Sequence, residues 1–192
     1  MYFAAYSLKT KLPLLNDMLN FMTKLKAKVF IEGSNIYFAQ KKMGKWLDWV
    51  KVKRYLVKEY ELLNIHYYIG VRYKDSKVLP FLKKLKTINF DVITKPVKLI
   101  IDESGRKIEK ANFDVEITGD VLSSYKNLDV IILFSGDSDF DYLVKILHKQ
   151  NKKVYVFSSR KTLSWELKLS ADKHFFLEDL SNLTKNKKFV KI

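Results

Sequence analysis

Residues 128–147 read LDVIILFSGDSDFDYLVKIL, and this stretch decides the fold class. Its apolar run at 130–134 is short and rich in β-branched residues, which is typical of a strand buried on both faces. Ser135 and Gly136 favour a sharp turn after that strand. Apolar residues then recur at helical spacing, at Phe140, Leu143, Val144 and Leu147. The stretch therefore predicts a buried strand, a turn and an amphipathic helix.

Three carboxylates, Asp137, Asp139 and Asp141, lie between the end of this strand and the start of the helix. In open α/β sheets, ligands bind at the carboxyl ends of the strands. The helix N-terminus favours anions electrostatically, but carboxylates so close in sequence repel one another. A divalent cation or protonation relieves such repulsion.

Four interpretations of these acids compete. A surface turn with an Asp N-cap accounts for one or two of them. A calcium loop of the EF-hand kind requires Gly at its sixth position and an acid at its twelfth, where this chain has Tyr142 and His148, so that loop is excluded. A phosphohydrolase D-x-D motif would follow the first strand of the fold, whereas this one lies late in the chain. A metal site assembled from several strand ends predicts further acids at the other strand ends.

The composition favours a polyanionic partner. Lysine and arginine outnumber aspartate and glutamate by 36 to 21 in 192 residues, which gives a formal net charge of +15. Nucleic acid is the first partner this suggests and an anionic membrane the second, and a Lys-rich solvated surface is the alternative. The chain has no cysteine and no run of apolar residues long enough to span a membrane. We therefore predict a cytoplasmic protein without a membrane segment.

A second strand end also carries an acid. Residues 28–31 form a predicted first strand that ends in Glu32, followed by Gly33 for the turn and by Asn35. A basic loop with Lys41, Lys42 and Lys45 is predicted next. Asp48 is a suitable N-cap for a helix over about 49–63.

Strands and helices alternate along the rest of the chain. The predicted strands are 66–71, 90–94 and 153–158, with a short strand or turn at 175–177. The predicted helices are 76–87, one from about Phe113, and 164–171, and a small hairpin is predicted at 97–101 and 106–108. This order predicts an α/β fold: a three-layer α/β/α sandwich with a mainly parallel central sheet.

The strand ends of this fold collect several acids. Glu32, Asp137 and Asp139 follow strands, and Asp114 lies at a helix start. Asp120 is almost two turns further along that helix, about 240° from Asp114 on a helical wheel, so the two are not expected to point into one site. The interpretation of a metal site built from several strand ends is the one that this pattern favours.

Three motifs together resemble the NYN (LabA-like) branch of the PIN-like nuclease superfamily. FIEGSNIYF at 30–38 resembles its F-I-D-G-x-N-h-Y signature, where h is hydrophobic. The stretch from Lys110 to Asp120 resembles its K-G-V-D-h-x-h-x-x-D block with one residue more between Lys and Asp. SGDSDF at 135–140 matches its most specific block. The order and spacing of the three agree over about residues 27–180.

The resemblance implies a PIN-like fold that cleaves RNA with Mg²⁺ or Mn²⁺. Carried over by position, the catalytic and metal-binding acids are Glu32, Asp114, Asp137 and Asp139. The implied supporting residues are Asn35 and Ser135, with Asp120 as a further candidate. One departure affects activity rather than fold, because Glu32 stands where the family pattern has Asp and its carboxylate reaches about one methylene further.

Two segments flank the predicted domain. Residues 1–26 are expected to be an N-terminal extension, and residues 181–192 a basic tail, with the PIN-like domain over 27–180. Proteins of this superfamily often form dimers, so the resemblance also makes a homodimer an expectation, to which the apolar N-terminal extension would contribute.

The leading functional hypothesis is a metal-dependent endoribonuclease that acts on single-stranded RNA. A catalytically weak or inactive RNA-binding module of the same fold is the alternative, and a protein-interaction scaffold is the third hypothesis. Tyr37 is a candidate for base stacking or for core packing. Loop cations are expected to contact phosphates, and these are Lys41, Lys42, Lys45, Arg160 and Lys161.

Overall fold

The computed structural model of the chain describes residues 24–72, 75–101, 103, 105 and 107–183. Its strands, numbered in chain order, are β1 (Lys26–Glu32), β2 (Glu61–Val71), β3 (Asp91–Pro96), β4 (Lys98–Ile101), β5 (Lys107–Lys110), β6 (Val130–Phe134), β7 (Lys153–Ser158) and β8 (Lys173–Phe176). Six of them form one parallel sheet in the order β3-β2-β1-β6-β7-β8. The remaining two, β4 and β5, form an antiparallel hairpin, as predicted.

The helices lie on both faces of this sheet. They are α1 (Gly33–Met43), α2 (Trp49–Glu59), α3 (Leu79–Thr87), α4 (Asp114–Ser124), α5 (Asp141–Lys149), α6 (Trp165–Ser170) and α7 (Leu177–Leu183), with short 3₁₀ turns at Tyr125–Asn127 and Ser138–Phe140. Buried residues of α1, α2, α3 and α7 pack with one face of the sheet, and those of α4, α5 and α6 with the other. The predicted three-layer α/β/α sandwich with a parallel sheet is therefore confirmed.

The strand–turn–helix predicted at 128–147 is present, and all five residues of β6 are buried. The two central strands, β1 and β6, pair in parallel with Ile31 opposite Phe134. Two predicted helix caps are also present, because Asp48 accepts a hydrogen bond from the Val50 amide at 3.0 Å and Ser164 accepts one from the Leu167 amide at 3.4 Å. The strand order brings the ends of β1 and β6 side by side at the centre of the sheet.

The largest difference from the sequence-based prediction follows β1. Residues 33–43 form helix α1, where a basic loop was predicted, so Lys41 and Lys42 are on a helix and Lys45 follows it. The preceding residue, Glu32, makes no side-chain cap hydrogen bond, so the usual start signal of a helix is missing. Gly44 ends the helix with a left-handed φ of 68°, a conformation that glycine adopts without steric penalty.

Two strand boundaries were also wrong. β2 begins at Glu61, because Glu61 and Leu62 pair with the first two residues of β1 rather than extending α2 as predicted. β3 ends with Pro96 instead of stopping before it. Pro96 is the last residue of an outer strand, a position where its missing amide hydrogen is tolerated.

The proposed division into extension, domain and tail remains a prediction. Most of the N-terminal extension and of the basic tail lie outside the described residues. β1 begins at Lys26 and α7 ends at Leu183. No helix within the described ranges is long and apolar enough to cross a membrane.

Candidate metal centre

Three carboxylates converge where the central strands end. Glu32 is the last residue of β1, Asp137 follows β6 by three residues, and Asp114 is the first residue of α4. Each offers one oxygen that lies within 4.8 Å of the oxygens offered by the other two. Glu32 is 7% exposed, whereas Asp114 and Asp137 are half-buried. We call these three residues the acid cluster.

Helix α4 brings Asp114 to this edge because it packs along β1 in the opposite direction. At the far end of the pair, the Lys28 ammonium donates a hydrogen bond to the Ser124 hydroxyl at 3.3 Å. At the near end, the Asn112 side chain accepts a hydrogen bond from the Asp114 amide at 2.8 Å. The first residue of a helix is also where its dipole favours a negative charge. Asp114 is thus held at the carboxyl end of β1.

Serine hydroxyls hold the Glu32 carboxylate. Ser135 donates to Oε2 at 2.6 Å, and Ser34 donates to Oε1 at 3.4 Å. The Ser135 hydroxyl also accepts a hydrogen bond from the Asp137 amide at 3.0 Å. One hydroxyl therefore links two members of the acid cluster, and its contacts fix the turn after β6 against the end of β1.

A second link joins α1 to the same turn. The Asn35 side-chain oxygen accepts a hydrogen bond from the Gly136 amide at 3.0 Å. Asn35 is in the first turn of α1 and Gly136 lies just before Asp137, so this contact fixes the helix that follows Glu32 against the turn that carries Asp137. Both predicted supporting residues, Asn35 and Ser135, thus lie beside the acid cluster.

Burial and mutual repulsion shift the acidity of the cluster. Burial raises the pKa of Glu32 from its ordinary 4.5 to about 7; the Ser135 hydrogen bond opposes this shift, and the nearby Asp114 and Asp137 carboxylates add to it. Burial also raises the pKa of Asp114, and Asp137 and Asp139 contribute in the same direction. In both residues, burial and neighbouring negative charges outweigh the interactions that stabilise the ionised carboxylate.

The donor set suits a hard divalent cation. Carboxylate oxygens are the ligands that Mg²⁺ and Mn²⁺ prefer, and a cation among them would offset both the burial of these charges and their mutual repulsion. Among the described residues, the acid cluster is also the only group of three or more acids or histidines whose ligand atoms converge closely enough to hold one ion. The residues present therefore fit a divalent metal.

Two other acids named from the sequence lie outside the cluster. Asp139 is exposed, and its amide donates to Asp137 Oδ1 at 3.1 Å. Asp120 accepts a hydrogen bond from the Tyr68 hydroxyl at 2.6 Å and lies 3.6 Å from Nδ1 of His66. Asp120 is six residues, about 9 Å, further along α4 than Asp114, so it lies beside Tyr68 and His66 of β2 rather than in the acid cluster.

The predicted phosphate-contacting cations fall into two groups. Lys41, Lys42 and Lys45 are exposed on and just after α1. Lys161 lies near them, because its ammonium donates to the Lys42 carbonyl at 3.1 Å. Arg160 has partners of its own, since its guanidinium lies 3.9 Å from the centre of the Phe176 ring and 2.6 Å from an Asp179 oxygen.

Sequence reasoning missed Ser34 and Asn112, which hold Glu32 and the backbone of Asp114. No pattern distinguishes these two from other polar residues near turns. It also missed the role of the loop after β7, which packs directly on the turn that carries Asp137. The Ser164 amide donates to the Gly136 carbonyl at 2.9 Å.

We expect Gly136→Ala to destabilise the protein by about 1–3 kcal/mol, the usual effect of overpacking. A Cβ atom there would lie 2.3 Å from the Thr162 carbonyl oxygen and 2.5 Å from the Ser158 hydroxyl, so backbone must move. Urea unfolding measures the change. Gly119→Ala is the matched control, because nothing lies within 4 Å of a Cβ at that helical position and alanine there favours the helix. Equal stability of the two variants would contradict this packing.

Comparisons with known proteins agree with the observed fold. The family model of the NYN domain matches residues 26–178. Low amplitude and bright protein LabA from Synechococcus elongatus is 32% identical over 156 residues, which are 79% of this chain and 83% of LabA. The crystal structure of a protein of unknown function from Vibrio parahaemolyticus is similar with a TM-score of 0.70 and 27% identity, and the match covers 81% of this chain and 94% of that one.

Proposed function

The chain belongs to the NYN-domain family, a family with the PIN-like nuclease fold, and on that premise we propose that it is a metal-dependent endoribonuclease. The observation that carries the proposal is the convergence of Glu32, Asp114 and Asp137 at the carboxyl edge of the sheet. Sheet edges of this kind are where α/β enzymes bind ligands. The substrate proposed is RNA, in which one phosphodiester bond is hydrolysed.

The acid cluster would hold Mg²⁺ or Mn²⁺. Such a cation activates water for attack and offsets negative charge on the scissile phosphate. Glu32 is fixed by two serine hydroxyls, and Oδ1 of Asp137 accepts a hydrogen bond from the Asp139 amide, so these two carboxylates are positioned before any ligand arrives. Preorganised groups of this kind lower the reorganisation needed during the reaction.

Asp139 is proposed to act from the rim of the site. The pKa of Asp114 is raised mainly by burial, and the charge of Asp139 adds to that shift, although Asp139 is exposed and outside the acid cluster. We propose that Asp139 supports the metal or the attacking water, and that Asp120 has a structural role with Tyr68.

The excess of positive charge supports an RNA partner. Exposed lysines lie on and just after α1, the helix that begins directly after Glu32, and a polyanion would be attracted to them. We also propose that the protein acts in the cytoplasm and that it can form a homodimer, in line with the sequence-based expectations.

The test is cleavage of a mixed-sequence single-stranded RNA by purified protein with Mn²⁺, with Mg²⁺ and with EDTA. We expect cleavage with at least one of the two cations and none with EDTA. Internal cuts in an RNA with both ends blocked would identify endonuclease action. If the protein cleaves RNA neither with Mn²⁺ nor with Mg²⁺, the proposal is wrong.

One observation favours the second candidate, an RNA-binding module without efficient chemistry. Glu32 stands at the position where the family signature has Asp. Its carboxylate is buried, and burial raises its pKa to about 7. A longer side chain shifts the oxygen that reaches a cation, and Mg²⁺ geometry is strict. Salt-sensitive RNA binding without cleavage, together with cleavage by the Glu32→Asp variant, would establish this candidate instead.

A further inference from the structure

We propose that Tyr37, Phe38 and Trp46 form a stacking platform for unpaired RNA bases, and that the neighbouring lysines at 41, 42 and 45 hold the phosphates. This inference rests on the proposed function and deepens it, because it specifies which form of RNA the protein binds and which surface binds it.

The three aromatic side chains are exposed, and Tyr37 contacts the other two. Tyr37, Phe38 and Trp46 are 47%, 56% and 44% exposed. The centre of the Tyr37 ring lies 5.4 Å from that of Phe38 and 5.5 Å from that of Trp46. Aromatic rings at these distances attract one another, so the three form one continuous surface. This surface is apolar, whereas the rest of α1 facing solvent is basic.

Two of the three platform residues, Tyr37 and Phe38, lie on the helix that starts directly after Glu32 of the acid cluster. α1 begins immediately after Glu32, and the Ser34 hydroxyl donates to the Glu32 carboxylate. Ser34 and Phe38 are four residues apart and therefore lie on the same face of the helix. The rise of an α-helix places Phe38 about 6 Å beyond Ser34 along the axis. A strand with its scissile phosphate at the acid cluster can therefore place an adjacent base on these rings.

The charge beside the platform favours a nucleic acid over an apolar protein partner. Within the described part of the chain, the ammonium groups of Lys41, Lys42 and Lys45 make no hydrogen bond or ion pair, and all three residues are exposed. Lys161 adds a fourth cation beside the Lys42 carbonyl. Phosphates and base faces along a single strand match a surface that carries both cations and aromatic rings.

The same surface selects against duplex RNA. In a duplex the base faces are stacked on each other and unavailable to protein side chains, whereas single strands offer them to aromatic rings. The occupant of the platform is therefore single-stranded RNA with at least one base turned towards α1.

The experiment measures binding in EDTA, so that it does not depend on cleavage. The probes are a fluorescein-labelled 12-nucleotide mixed-sequence RNA and an abasic strand of the same length, which has the same phosphates and no bases. The variants are Phe38→Leu and Trp46→Leu, which keep an apolar side chain but remove the ring. The matched controls Phe38→Tyr and Trp46→Phe keep a ring at the same position.

We expect each Leu variant to bind the RNA about 10-fold more weakly, a factor that corresponds to about 1.4 kcal/mol and lies within the range of base–aromatic stacking. Binding of the abasic strand should not change, and the ring-preserving variants should bind RNA like the unaltered protein. We expect each variant to be folded because both positions are exposed, and circular dichroism checks this.

Two outcomes would overturn the inference: unchanged RNA binding by the Leu variants, or an equal loss of binding with the abasic strand. In the first case, a change in oligomeric mass by light scattering would identify the rings as a self-association surface. Failure of the proposed function gives a different result, in which RNA binding depends on the rings but neither cation supports cleavage.

Discussion

Replacing Asp137 with Asn is expected to abolish RNA cleavage while leaving the fold intact. Asp137 contributes one of the three converging oxygens of the acid cluster, and the neutral amide of Asn is a weaker ligand for a divalent cation than a carboxylate. We expect the loss of rate to exceed the ~100-fold that removal of a residue supporting a metal ligand causes. Initial cleavage rates at saturating Mn²⁺ measure it.

The fold should survive because the structural role of Asp137 needs only an oxygen. Its Oδ1 accepts a hydrogen bond from the Asp139 amide at 3.1 Å, and the side-chain oxygen of Asn can accept the same bond. Asp139→Asn is the comparison variant. It removes an equal charge from an exposed side chain outside the acid cluster, so its loss of rate should be smaller. Full activity of Asp137→Asn would contradict the assignment of the acid cluster as the metal-binding site.

Replacing Glu32 with Gln is expected to stabilise the metal-free protein at pH 8. The folded-state pKa of Glu32 is about 7, against its ordinary 4.5, so the folded protein binds this proton more tightly than the unfolded chain does. Stability therefore falls as pH rises from about 4.5 to about 7 and then stays level. The difference of about 2.5 pKa units corresponds to about 3 kcal/mol, which Gln avoids because it does not ionise.

Thermal unfolding in EDTA at pH 4.5 and pH 8 measures this effect. The variant should unfold at a higher temperature than the unaltered protein at pH 8, and the difference should nearly vanish at pH 4.5. Added Mn²⁺ should raise the unfolding temperature of the unaltered protein and have little effect on the variant, because a bound ligand stabilises only the protein that binds it. A gain of the same size at both pH values would point to packing rather than charge.

Together, Asp137→Asn and Glu32→Gln distinguish effects on the stability of the protein from effects on the rate of cleavage. Both remove a carboxylate from the acid cluster, and both should lose metal binding. Only Glu32 is almost fully buried, however, so the larger gain in metal-free stability is expected from Glu32→Gln. The charged carboxylates lower the stability of the metal-free protein, and the surrounding hydrogen bonds hold them in place. This combination is typical of a preorganised binding site.

Local sequence patterns predicted the elements whose signals are complete within a few residues. The apolar run of β6, the turn at Gly136 and the helix that follows agree with the structure, as do the Asp48 cap and the β4–β5 hairpin. Helix α1 was missed because Glu32 makes no cap hydrogen bond and the helix begins with Gly33. Its stability comes from Ile36 and Ala39, which are buried against the sheet, and such contacts are invisible in sequence.

The sequence by itself determined the fold class, the family motifs and the carboxylates available at the strand ends, because these depend on periodicity and residue type along the chain. The tertiary structure decided which carboxylates meet. It brings Glu32, Asp114 and Asp137 together and leaves Asp139 exposed, because strand pairing and the packing of α4 bring distant residues together while the turn after β6 separates near neighbours. It also decided the acidity of Glu32, since that pKa reflects burial, and burial is a property of the whole fold.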